Sequence, residues 1–214
     1  MKKTVLLLLT FLPLLATSQT QKKYFNFDGK EISYSKFNEI QSKGVLVGQN
    51  EEGTTFKLIK ERESKGKIKD YKELINSLNG SLSTNLSSEK PLFIYYYPGP
   101  DAANTSKNPN PNGPKIFKEE TDAFEDKLNK TIEGQTLFLY KKESRNVYKN
   151  HEYMPWKKDP KGEIEKRFFA EYHYWYASFV IIFPNGDYNT YYGEFSYNKV
   201  FDYIKQWKKN NKVK

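Results

Sequence analysis

The sequence predicts an α/β protein: a domain built on a mixed central sheet, preceded by a small α+β N-terminal subdomain. Three observations carry this. Leu92-Phe93-Ile94-Tyr95-Tyr96-Tyr97 is an unbroken apolar and aromatic run of strand length, the pattern of a strand buried on both faces. Phe179–Phe183 and Tyr188–Tyr192 flank Pro184-Asn185-Gly186-Asp187, and Asn-Gly takes the positive φ values that a tight hairpin turn needs. Thr136–Tyr140 follows the first run across a helical segment, and a crossover of that length implies a parallel, right-handed strand–helix–strand unit.

The elements follow in order. Tyr24–Phe27 and Glu31–Tyr34 alternate around Asp28-Gly29 and predict a hairpin. Ser35 caps a short helix running through Ile40 and ended by Gly44. Val45–Val47 and Thr54–Ile59 read as strands joined by the Glu51-Glu52-Gly53 turn. Asp70 with Glu73 forms a capping-box pattern, and Tyr71, Leu74, Ile75 and Leu78 share one helical face before Gly80. Residues 19–80 are thus the predicted subdomain, and the polar stretch 81–90 a linker. Residues 98–114 hold five prolines among Asn and Gly and predict a long loop. Pro114 then opens a helix with Phe117, Phe124 and Leu128 on one stripe. Residues 142–160 are irregular, and Ile164, Phe168, Tyr172 and Trp175 recur at helical spacing within 162–176. Ser196 caps a last helix with Tyr197, Val200, Phe201, Ile204 and Trp207 inward, ahead of a short basic tail, 210–214.

Residues 1–18 predict a cleavable signal peptide: Lys2 and Lys3, an apolar run from Val5 to Ala16, then small residues with cleavage after Ser18. The run is shorter than the roughly 20 residues that span a bilayer as a helix, so the expectation is a secreted or periplasmic protein with no transmembrane anchor after cleavage. Loss of Lys2 and Lys3 takes the net charge from +9 to +7 over 196 residues. The chain has no cysteine, so its core must hold without disulfides. Seventeen Tyr, 15 Phe and three Trp supply the area. The basic balance implies attraction to anionic surfaces, without specificity for nucleic acid.

From residue 91 to 209 the order is strand, helix, strand, helix, strand, hairpin strand, helix. Together with the Leu92–Tyr97 strand entering Pro98-Gly99-Pro100-Asp101, and the hairpin 179–192 leading into a helix, this resembles the core of the thioredoxin-like superfamily. The resemblance implies a three-layer α/β/α domain. It also implies a redox loop after the first strand, facing a cis-proline. Here that loop offers Ala102, Ala103, Asn104, Thr105 and Ser106, and Ala177-Ser178 stands where the proline is expected. A thiolate is the nucleophile of redoxin disulfide and peroxide chemistry, and the chain has no cysteine, so thiol–disulfide oxidoreductase and thiol peroxidase activities are excluded.

The leading expectation is therefore a binding or interaction module whose partner is a protein or an anionic envelope component. Ligands of α/β sheets lie beyond the carboxyl ends of the strands, which nominates Tyr97, Asp101, Asn104 and Thr105. A second reading is a binder of glycan or anionic polymer through segment 142–160, with Tyr153, Trp156 and Lys157 as stacking and charged groups. A third is a hydrolase or metal-dependent enzyme using His151, Glu152, Glu171 and His173, although their spacing matches no zinc pattern. No cofactor motif is present, and no catalytic residue stands out.

Overall fold

The computed structural model describes residues 21–101, 110–142 and 153–211. Among the described residues there are two mixed sheets and four α-helices. A four-stranded sheet has the order β1-β3-β2-β8, where β1 is Lys23–Phe25, β2 Leu46–Gln49, β3 Thr55–Ile59 and β8 His173–Tyr174. A six-stranded sheet has the order β4-β10-β9-β5-β6-β7. Its strands are β4 Glu63–Lys67, β5 Leu92–Tyr97, β6 Gln135–Tyr140, β7 Lys157–Lys158, β9 Ser178–Ile182 and β10 Asp187–Tyr191.

Strand β5 is interior, as its apolar run predicts. It pairs parallel with β6, from Leu92 opposite Gln135 to Tyr97 opposite Tyr140, and antiparallel with β9. Alternate residues point to opposite faces of a strand, and both faces are covered. Leu92, Ile94 and Tyr96 pack with Tyr71, Leu74, Ile75 and Leu78 of α2 (Tyr71–Leu82) and with Ile164, Phe168 and Phe169. On the other side Phe93 packs with Phe124 and Leu128 of α3 (Gly113–Ile132) and with Val200, Tyr203 and Ile204 of α4 (Tyr197–Asn210). Helices therefore lie on both faces of the six-stranded sheet. A separate core under α1 (Tyr34–Gln41) joins Phe37, Val47, Phe56 and Leu58.

Several local expectations are corrected. Residues 162–176 do not form an α-helix. They make a π-turn over Glu165–Phe169, preceded by a 3-10 turn Pro160–Gly162 and followed by β8. The adjacent Phe168 and Phe169 are both buried, and Tyr174 pairs opposite Gly48 and stacks on Tyr192. Pairing with a distant strand outweighs helical spacing here. Helix α2 passes through Gly80 and ends at Ser83, whose φ is +52°; Leu82, packed against the core, holds the extra turn. Asp70 makes no capping bond and instead pairs with Arg167 at 2.9 Å. Ser33, not Ser35, caps α1 through the Lys36 amide. The expected Asp28-Gly29 hairpin is present but short, a bridge between Phe25 and Glu31 flanked by the Asn26 amide on the Lys30 carbonyl and the Ile32 amide on the Tyr24 carbonyl, and β1 also pairs in parallel with β3.

The segment before residue 80 contributes to both sheets, because β4 pairs antiparallel with β10. The polar stretch after it is fastened by two amide clamps. The Asn79 side chain bonds both the amide and the carbonyl of Leu86, and the Gln135 side chain does the same for Ser87.

The hairpin turn between β9 and β10 locks the sheet edge to this segment. Gly186, at φ +85°, accepts the Ile68 amide on its own carbonyl, and a Cβ there would stand 2.0 Å from the Ile68 carbonyl oxygen. Gly186→Ala should therefore break this contact and strain a left-handed residue, with a loss of at least about 1–2 kcal/mol on urea denaturation. Phe93→Ala, which empties the centre of the sheet, should cost about 3–5 kcal/mol in the same measurement.

Candidate functional site

Beyond the carboxyl end of β5 the chain runs through Pro98, Gly99 and Pro100 to Asp101. Gly99 has φ +127°, and the position of its missing Cβ lies 3.0 Å from the Lys142 Cβ, so the exit from β6 passes tightly alongside. The Asp101 carboxylate is fully buried. Its Oδ2 accepts the Tyr176 amide at 3.2 Å and lies 3.4 Å from His173 Nε2, a long contact that becomes an ion pair when the imidazole carries both protons. Tyr176 has φ +65°, a left-handed conformation that costs a non-glycine residue roughly 1–2 kcal/mol. The residue is 38% exposed. A buried carboxylate thus holds a strained, exposed aromatic residue directly before β9. Backbone strain of this kind concentrates at functional sites.

An apolar cluster lies beneath: Tyr97, Phe138, Met154, Trp156 and Ala177, with Tyr95, Phe117 and Phe195 against it. Three of the exposed large apolar residues, Ile116, Tyr153 and Tyr176, each immediately precede a member of this group, namely Phe117, Met154 and Ala177.

Charged groups border the same edge. Lys141, the residue after β6, is bonded to both Glu51 and Glu165, tying the β2–β3 turn to the π-turn. Burial pulls the Lys141 pKa down, but its bonds to Glu165 and Glu51 outweigh that and hold it above the ordinary lysine range. The hydrogen bond from Lys141 holds Glu51 below the usual carboxylate range. Asp159 is raised by desolvation, which its bonds from the Ile164 and Glu165 amides only partly oppose. The buried Tyr96 hydroxyl and Trp156 Nε1 have no hydrogen-bond partner among the described residues.

Of the residues nominated from sequence, Asp101 and Tyr97 lie at this edge, and Tyr153 is exposed and precedes Met154 of the apolar cluster. Trp156 is only 7% exposed and belongs to the core, so the face it would offer a sugar or base is turned inward. Lys157 donates to the Leu82 carbonyl at 2.9 Å. His173 meets Asp101 rather than Glu171, which is exposed. Asn104, Thr105, His151 and Glu152 lie outside the described residues. Among the described residues no three His, Asp or Glu side chains are grouped to hold a metal ion. Sequence reasoning missed Tyr176, Lys141 and Glu51. A tyrosine carries no signal for a positive φ, and the lysine clasp spans 90 residues to Glu51.

Replacing Asp101 by Ala leaves the Tyr176 amide without its acceptor. It should cost about 1–3 kcal/mol by chemical denaturation, with Asp101→Asn costing less because an amide oxygen can still accept. The clasp around Lys141 sets a pH window. Glu51, lowered by folding, contributes stability above its ordinary value near about 4.3 and loses it as pH falls through the folded value; Lys141, raised, contributes below about 10.4 and loses it as pH rises through the folded value. Stability measured against pH should show both limbs, and Lys141→Gln should flatten both.

Compared with known proteins, the chain matches no family model, no curated protein and no solved structure.

Proposed function

We propose that this is an exported, thioredoxin-like protein without redox chemistry that acts as a binding module, taking its partner at the carboxyl edge of β5. Support for the fold reading comes from the strand order β10-β9-β5-β6, with β5 and β6 parallel and the hairpin antiparallel, and from helices on both sheet faces. Support for export is the basic, apolar and small-residue pattern of residues 1–18. With no cysteine in the chain, the edge has no thiol nucleophile.

One observation carries the binding reading: the buried Asp101 carboxylate holds the exposed Tyr176 in a left-handed conformation. Strain maintained by a buried carboxylate is expensive, and an exposed tyrosine that adjoins a member of a packed apolar cluster, Ala177, is the kind of anchor that dominates protein interfaces. The Asp101–His173 contact favours acid–base chemistry as the second reading, yet no hydroxyl is bonded to the imidazole among the described residues.

The test is capture from envelope extract by the full chain, with bound material identified and its affinity measured. Tyr176→Ser and Tyr153→Ser should each weaken that affinity by about tenfold or more, as loss of an aromatic anchor does, while thermal stability stays close to the parent. Equal capture by the parent and both variants would remove this edge from consideration.

A further inference from the structure

A second feature lies on the α2 side of the six-stranded sheet. An open groove of about 310 Å³ runs between the last two turns of α2 and the segment from Pro160 to Arg167. That volume is at the small end of ligand sites, roughly 300–1,000 Å³. Three cations line it, Lys161, Lys166 and Arg167, against one carboxylate, Glu163, with the Ser77 and Ser81 side chains on the opposite wall.

The partners of these groups decide what the groove can take. Arg167 is committed, bonded to Asp70 and to Glu163, and Glu163 is engaged a second time by the Ser77 hydroxyl at 2.8 Å. The one carboxylate lining the groove thus pairs with a guanidinium that it shares with Asp70 and accepts a further bond from a neutral hydroxyl. Lys166 Nζ donates only to the Lys161 carbonyl, and neither Lys161 nor Lys166 has a carboxylate partner among the described residues. The Leu82 carbonyl, one of those at the negative C-terminal end of α2, accepts from the Lys157 ammonium at 2.9 Å, which offsets part of that end's repulsion of an anion. Lys161 itself sits at φ +54°, followed by Gly162 at +66°, a left-handed pair that fixes the turn between the two ammonium groups.

We infer that this groove binds a phosphomonoester group, through Lys161 and Lys166 with the Ser81 hydroxyl as a further donor. With Arg167 shared between Glu163 and Asp70, the Lys161 and Lys166 ammonium groups are the two cations left for an anion, and charge-assisted bonds from ammonium groups to phosphate oxygens are among the stronger ones available at a surface. The groove admits a headgroup or one small phosphorylated metabolite. It is too small for a polymer segment.

Binding is read by titrating the full chain with glycerol 3-phosphate, and separately with vesicles of phosphatidic acid against vesicles of phosphatidylcholine. Lys161→Gln/Lys166→Gln should weaken binding by about tenfold or more. Lys205→Gln/Lys209→Gln, an equal charge loss on α4 across the sheet, should leave it within about twofold. Groove-dependent binding of glycerol 3-phosphate identifies a soluble phosphomonoester as the source, and groove-dependent binding confined to phosphatidic acid identifies a lipid headgroup. Equal losses in the two double variants would show nonspecific attraction by the net charge and overturn the proposal, as would absence of binding to both probes.

Discussion

The burial of β5 is the constraint on which the remaining structure depends. A strand enclosed on both faces must find ladder partners on both edges and apolar cover above and below, because an unpaired buried amide or carbonyl costs as much as a lost hydrogen bond. Strands β6 and β9 satisfy the edges. Helix α2 with the π-turn covers one face, and α3 with α4 covers the other. The place where this enclosed strand emerges is fixed by the same requirement, and there the chain puts Asp101, His173 and Tyr176 together.

Without disulfides the core relies on aromatic packing. Phe93 touches Phe124 and Phe179, Tyr96 stacks on Phe169, and Tyr174 stacks on Tyr192. Each such ring removes about 150–250 Å² from water and adds a directional preference for its neighbours. That preference explains why the segment 165–176 abandons a regular helix. A π-turn lets Phe168 and Phe169 both face inward, and an extended chain beyond it brings Tyr174 against Tyr192 while pairing with β2.

Much of the fold was legible in the sequence where a pattern was local and strong. The run Leu92–Tyr97, the Asn185-Gly186 turn and the stripe from Val200 to Ile204 each name one structure because period and turn chemistry agree. Strand β4, with the sequence Glu-Ser-Lys-Gly-Lys, was illegible: it is an exposed edge whose alternation carries no apolar signal, and only pairing with β10 makes it a strand. Trp156 and Lys157 looked like ligand groups by composition, but composition does not distinguish an aromatic at a surface from one in a core. The site itself was half legible. The position of Asp101 after a buried strand pointed to it, whereas its pairing with residues more than 70 positions away did not.

By itself the sequence determined an α/β protein with a central apolar strand, a hairpin and amphipathic helices, and it ruled out thiol chemistry, since these depend on residue type and short-range spacing. Tertiary structure alone decided that β4 joins the large sheet, that α2 covers one of its faces, that Tyr176 is held left-handed by Asp101, and that Lys141 bridges Glu51 and Glu165. Each of these is a contact between distant segments. Its energy comes from desolvation and pairing that exist only once the chain is packed.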